Sequence, residues 1–333
     1  MKPPVAACLV VVVAAALVAS NAFAQPDALY KKPQTVDKRI AELEKEVGSL
    51  KKELAAMKLP AVPDRLSLCE KPIPLSNDDV RESFEREFYQ FLENKGLLTI
   101  LVKRYGKFLN VVSEEIDLMR MPSDLIYLAI AESYLNPRAV SNANAGGLWQ
   151  FIRDTGKREG LAITDHIDER YSVKRSTRTA LTYLKKLNGE FGDWLLAMAA
   201  YNCGEGRVRE AIANQNTRDF FEMFLPQETQ RYIFRIAALK EILANPRKYG
   251  LPLDKKDYYR PYSVAEVVLH VDKETHTLAL SQAMDLPYKT FREYNLHIRK
   301  YVLPRGTYRL YVPAEKKEVF LRRIRTTPNV SCE

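Results

Sequence analysis

Residues 125–137 read LIYLAIAESYLNP. Seven apolar residues, Leu125 to Ala131, run unbroken into Glu132 and Ser133. Pro122 and Ser123 suit the start of a helix, and Asn136-Pro137 suits its end, because the residue before proline avoids the helical region. A carboxylate on such a helix costs several kcal/mol to bury unless it is paired or neutralised. Desolvation disfavours its charged form and raises its pKa, which is what a general acid needs near neutral pH. Glu132 is therefore the candidate catalytic residue.

Outward from this run, residues 76–250 are patterned as helices almost throughout. Phe84, Phe88, Phe91 and Leu92 share one face, and Leu98, Ile100, Leu101, Tyr105, Phe108 and Leu109 line another. Ser176 suits the cap of a helix holding Leu181, Leu184 and Leu187. The run from Leu195 to Tyr201 reads as a second buried helix, and Tyr232, Ile236, Leu239 and Ile242 are spaced for a last one. The expectation is an all-α domain over residues 77–252. Two clusters in it suggest a lined cleft: AGGLWQF (145–151) and AAYNCGEGRV (199–208), where glycines allow close approach and Gln, Tyr and Asn offer polar groups. Trp149 suits either stacking on a ligand or packing in the core. No second acid sits in a comparably apolar context; Glu205, in the GEG turn, is the nearest and reads as a loop residue.

The flanks differ in character. Lys2, the apolar stretch Val5–Ala19 and Ala22-Phe23-Ala24 read as a secretory signal peptide over residues 1–24. Export argues against a nucleic-acid partner and permits disulfides; Cys69 and Cys332 flank the folded part and are candidates to clip its ends together. The cysteine spacing has no zinc signature, and neither a metal nor a cofactor is expected. Val36, Ile40, Leu43, Val47, Leu50, Leu54 and Met57 alternate at intervals of four and three, which reads as the seam of a coiled-coil helix over residues 34–59 and hence of a homo-oligomer, the alternative being a single amphipathic helix lying on the domain. Pro60, Pro63, Pro72 and Pro74 indicate a proline-rich linker over residues 60–76. Residues 260–327 read as a small α+β module: a strand at 266–271, helices at 276–286 and 288–298, and a closing strand at 308–313. The net charge of +9 suits an anionic partner such as cell-wall polymer or a lipid surface, and so also peripheral membrane association.

ES at 132–133, GLWQF at 147–151, AAYN at 199–202 and RYIFRIAALKEIL at 231–243 stand in this order. The series resembles the lytic transglycosylases of the soluble murein transglycosylase superfamily, whose catalytic domain is related to goose-type lysozyme, over about residues 78–250. The tail resembles a degenerate LysM-like unit. The resemblance implies a mainly α protein with a lysozyme-like helical domain. It also implies an exported enzyme of the periplasm or cell envelope that acts on peptidoglycan strands. Such an enzyme cleaves the β-1,4 bond between N-acetylmuramic acid and N-acetylglucosamine and leaves a 1,6-anhydro ring. Glu132 matches its single acid/base. Ser133, Gly147, Gln150, Tyr201, Asn202 and Tyr232 match its substrate-binding positions. Departures fall at Leu135, Arg153-Asp154 and Cys203 and touch none of these groups. The alternatives are a hydrolytic muramidase on the same fold and a non-catalytic wall-binding or assembly protein.

Overall fold

The computed structural model describes residues 33–56 and 60–332; the expected signal peptide lies outside them. The chain divides into two units, Met1–Leu59 and Pro60–Glu333. In the first, a helix α1 (Pro33–Ala56) carries Ile40, Leu43, Val47 and Leu50 of the expected stripe, all exposed; Val36, Leu54 and Met57 lie outside the residues whose side chains are described.

The second unit begins with a hairpin, β1 (Ser67–Leu68) and β2 (Lys71–Pro72). The segment expected to be a linker is part of the domain: Leu66, Leu68, Cys69, Ile73 and Leu75 are buried in its core. The reason is a polar anchor that periodicity does not display. Asp124 accepts from the Cys69 backbone N–H at 2.7 Å and from Lys240 at 2.7 Å, while Lys240 also donates to the Ser67 carbonyl.

Seven helices follow: α2 (Asp78–Glu93), α3 (Lys95–Leu118), α4 (Leu125–Ser133), α5 (Arg153–Arg158), α6 (Val173–Phe191), α7 (Trp194–Cys203) and α8 (Glu205–Gln215). An eighth, α9 (Gln227–Ala244), runs against α2, α4 and α7. The apolar run folds as predicted: α4 is apolar on every side and is enclosed on every side, as such helices are. Its limits differ from the expected ones. It starts at Leu125, after a turn through Pro122, and ends at Ser133, where Tyr134 takes a left-handed conformation. Helix α6 is capped by Ser172, whose side chain accepts from the Arg175 N–H; Ser176 lies inside the helix, fully buried.

The C-terminal part has a second core built around Val267, Leu269, Leu280, Phe291, Leu310 and Phe320. Strand β3 (Val264–Val271) is followed by a short β4 (Thr275–His276), α10 (Thr277–Ala283), α11 (Tyr288–Tyr294) and β5 (Val302–Leu303). β6 (Gly306–Pro313) then pairs antiparallel with β3. The expected strand–helix–helix–strand order is present but does not close the sheet. A further helix α12 (Lys317–Ile324) follows, and strand β7 (Val330–Cys332) pairs with the other edge of β3.

This module is seated on the helical part. The Asp168 N–H donates to the His297 carbonyl and the Arg299 N–H to the His166 carbonyl, each at 2.7 Å. Ile167 joins the second core, and the Arg299 guanidinium lies 4.4 Å from the Tyr171 ring centre. No helix among the described residues is long and apolar enough to cross a membrane.

Cys69 and Cys332 are both free thiols, one in the first core and the other on β7 beside Leu269, which overturns the expected clip. Peptide mapping of the denatured protein without reductant is expected to recover Cys69 and Cys332 as separate, alkylated thiols. A peptide pair joined through them would contradict this fold.

Candidate functional site

Glu132 is the one half-buried residue of α4; its eight helix companions are buried. From α9, Tyr232, itself 2% exposed, donates its hydroxyl proton to Glu132 Oε1 at 2.5 Å. Burial pushes the Glu132 carboxyl up to about 7; the Tyr232 hydrogen bond and the positive charge of Arg235 pull against this, and Glu228 adds to it. Arg235 makes its ion pair elsewhere, 3.5 Å from Glu87.

Glu132 is not the most buried acid, contrary to the expectation from sequence. Glu87, Glu115, Asp168 and Glu169 are all buried more deeply. Each of them meets an arginine: Arg231 on Glu87 at 2.6 Å, Arg178 on Glu115 at 2.8 Å, Arg170 on Asp168 at 2.8 Å and Arg309 on Glu169 at 3.4 Å. Buried carboxylates are tolerated when paired in this way. What distinguishes Glu132 among the described residues is dehydration without an ion pair.

The loop after α4 is built against it. Ser133 donates to the Leu148 carbonyl at 2.7 Å, so its proton is spent on holding the loop. Gly147 has φ +80°, and a Cβ there would lie 1.8 Å from the Arg170 carbonyl oxygen, so only glycine fits. Gln150 (φ +48°) folds its side chain back onto the Gly147 carbonyl at 2.7 Å. Trp149 is fully buried and donates to Thr177, which settles it as a packing residue. Arg170 grips the loop from below, donating to the Asn144 carbonyl at 2.7 Å and to the Phe151 carbonyl at 3.2 Å.

Tyr201, near the end of α7, donates to the Trp149 carbonyl at 2.7 Å, and its ring packs between Phe151 and Tyr183. Burial, then the nearby Glu132 charge, push its own pKa well up, so it remains a neutral phenol. Asn202 accepts from Thr229 at 2.8 Å, tying α7 to α9. Gln150, Tyr201 and Asn202 share a cavity of about 310 Å³ with Arg158, Tyr183 and Glu205. The structure thus brings Glu132, Tyr201 and Tyr232 together, and sets Gln150, Tyr201 and Asn202 on one wall. Ser133 and Gly147 shape the loop, and neither they nor Glu132 and Tyr232 line that cavity; Tyr201 is the residue common to it and to the surroundings of Glu132. Sequence reasoning missed Arg170, Tyr183 and Arg158. Nothing in their local pattern separates them from ordinary polar helix and turn residues.

Among the described residues no group of three or more His, Cys, Asp or Glu could hold a metal ion. The chemistry available is proton transfer at one protonated carboxyl beside a polar-walled cleft.

The raised pKa has a stability consequence. Between pH 4.5, where the unfolded carboxyl ionises, and about 7, the folded state holds the proton more tightly than the unfolded state. Stability therefore falls as pH rises through this window, by at most about 3 kcal/mol before solvent screening. Replacing Glu132 with Gln is expected to leave the urea midpoint nearly unchanged at pH 4 and to raise it at pH 8. An equal shift at both pH values would show that Glu132 is not dehydrated.

The family model of the transglycosylase SLT domain matches residues 114–224. The chain is 40% identical over 189 residues to membrane-bound lytic murein transglycosylase D of Escherichia coli strain K12, covering 55% of this chain and 41% of that protein. It is 34% identical over 87 residues to membrane-bound lytic murein transglycosylase F of Desulfosudis oleivorans, covering 24% of this chain and 18% of that one. The chain spans less than half the length of these relatives. Among solved structures, the 70 kDa soluble lytic transglycosylase of Escherichia coli is 23% identical over 46% of this chain and 26% of its own, with a TM-score of 0.37. Glu132, the 147–151 loop, Tyr201 and Asn202 all fall between residues 114 and 224, the part of the chain that the transglycosylase SLT domain model matches.

Proposed function

We propose that the protein is a peptidoglycan lytic transglycosylase that cleaves the β-1,4 bond between N-acetylmuramic acid and N-acetylglucosamine. The observation that carries this reading is Glu132 at the end of α4, bonded by Tyr232 and without an ion pair, its carboxyl raised to about 7 by burial. Its proton passes to the glycosidic oxygen as the bond to the anomeric carbon breaks. The carbonyl oxygen of the substrate's own acetamide bonds to that carbon as the leaving sugar departs, and is displaced again when the ring closes. The Glu132 carboxylate then takes the proton from the muramyl carbon-6 hydroxyl, whose oxygen closes on the anomeric carbon to form the 1,6-anhydro ring. Proton and carboxyl are restored, and no water is consumed. Tyr232 holds one carboxyl oxygen and leaves the other for the proton. Gln150, Tyr201 and Asn202 form the sugar-binding wall. Ser133 and Gly147 hold the loop that presents Gln150. Most glycosidases need two carboxylates because an external water or an enzyme nucleophile must be activated or supplied; here the substrate supplies both nucleophiles.

The exported location, in the periplasm or cell envelope, is proposed on the signal-like N-terminus and on the names of the relatives. The C-terminal α+β part is proposed as a LysM-like module whose seat on residues 166–171 gives it a packing role, with wall binding as a second role. Helix α1 is proposed to pair through its exposed Ile40, Leu43, Val47 and Leu50 stripe with a second copy of itself.

Glu132→Gln is expected to release soluble fragments from purified sacculi at least about 10²-fold more slowly than wild type, the lower end for general acid/base catalysis. Mass spectrometry of wild-type products should find anhydro-muramyl ends; ends carrying an added water would make the enzyme a hydrolytic muramidase. Undiminished release by the Gln variant would leave only the non-catalytic reading. Removing residues 25–59 should halve or further reduce the mass seen by light scattering without slowing cleavage, and an unchanged mass would dispose of the paired helix.

A further inference from the structure

The cavity beside the catalytic acid carries charge that a glycan does not call for. Alternating N-acetyl sugars are neutral, so Gln150, Tyr201 and Asn202 offer them suitable partners. The same cavity is also lined by Arg158, Glu205 and Arg207. Glu205 opens α8. Its carboxyl is held below the usual range by a backbone hydrogen bond at the start of that helix, by the Tyr183 hydroxyl at 2.9 Å and by Arg158. Arg158 stands 3.5 Å from Glu205, and its guanidinium also lies 5.8 Å from the Tyr183 ring centre and bonds Glu159 at 3.0 Å. Arg158 is thus largely committed to its neighbours.

Arg207, on α8 two residues after Glu205, is not. It is exposed, bonds the Cys203 carbonyl at 3.4 Å, and makes no ion pair among the described residues. The cavity therefore presents one uncompensated cation beside a fixed anion, on the wall that also offers Tyr201 and Asn202. In murein, charge resides on the peptide stem, which carries carboxylates and, on a diamino acid, an ammonium group.

Resting on the transglycosylase reading, we propose that this cavity is a peptide-stem subsite, in which Arg207 pairs with a stem carboxylate, so that the protein favours peptide-bearing strands over stripped ones. Charge-assisted hydrogen bonds of this kind are the stronger ones, and at an exposed site they weaken with salt.

The test compares full-length wild type with Arg207→Ala, Arg207→Glu and Arg207→Lys on glycan strands with their stems and on strands stripped of them by an amidase. Arg207 is exposed, so these changes leave both cores intact. The readout is the ratio of kcat/KM on the two substrates. It should fall about fivefold in Arg207→Ala, further in Arg207→Glu, and recover in Arg207→Lys. For wild type it should also fall with added salt. A ratio unmoved by Arg207→Glu, or equal losses on both substrates, would overturn the stem subsite while leaving the transglycosylase reading in place. Wild type that cuts neither substrate would overturn both.

Discussion

The constraint on which the site depends is the dehydration of a single carboxyl. A helix nine residues long cannot keep Glu132 dry by itself. It does so because α9 crosses it and brings Tyr232, while α7 brings Tyr201, and both arrive as neutral phenols. Phenols can bond a carboxyl without neutralising it. An arginine in either place would have formed a salt bridge, lowered the pKa and made a structural acid of it, as at Glu87 or Glu115. The same core holds both kinds of carboxyl, and the difference lies in what each one meets.

Dryness requires a fixed loop in front of the acid, and that loop rests on Arg170. Its guanidinium spends two contacts on Asp168 and two on loop carbonyls, while its own carbonyl lies where a side chain on Gly147 would otherwise go. Asp168 is in turn bonded through its N–H to His297, and Glue-like contacts of Arg309 with Glu169 and Arg299 with Tyr171 complete the seat. The C-terminal module therefore backs the floor of the site. A module that reads from sequence as a separate appendage is mechanically continuous with the loop that holds Gln150.

How much of this was legible follows from the range of the interactions. The helices, the α4 run and Glu132 at its end came from periodicity, which is local. The 145–151 and 199–208 clusters were legible as a lined cleft from their glycines and polar groups, but their link to Glu132 and the site role of Tyr232 came from resemblance, since nothing local joins residues a hundred positions apart. The segment 60–76 misled because prolines speak of backbone freedom, whereas its burial is decided by Asp124 and Lys240. Ser172 and Ser176 are equally good caps by type; the 3₁₀ turn over Glu169–Tyr171 delivers the chain to the first of them. The outer strand β7 is three residues long and too short to show an alternation. The deeply buried acids were overlooked because no long apolar run leads to them, and three of the four arginines come from other elements: Arg231 from α9, Arg178 from α6 and Arg309 from β6.

Glu205 shows why one acid suffices even with another nearby. A two-carboxylate mechanism needs the second group either as a nucleophile or as a base holding a water. Glu205 is anionic, as such a base should be, but its oxygens are engaged by Tyr183 and Arg158. It is fixed to the far wall of the cavity by the residues that keep it charged. Two environments push the two carboxyls in opposite directions, Glu132 up by dehydration and Glu205 down by hydrogen bonds and a cation. Such divergence assigns roles: the protonated group handles the reacting oxygens, and the charged one holds Tyr183 and Arg158 on the cavity wall and leaves Arg207 to meet charge. That division is consistent with a substrate whose reacting part is neutral and whose appended part is not.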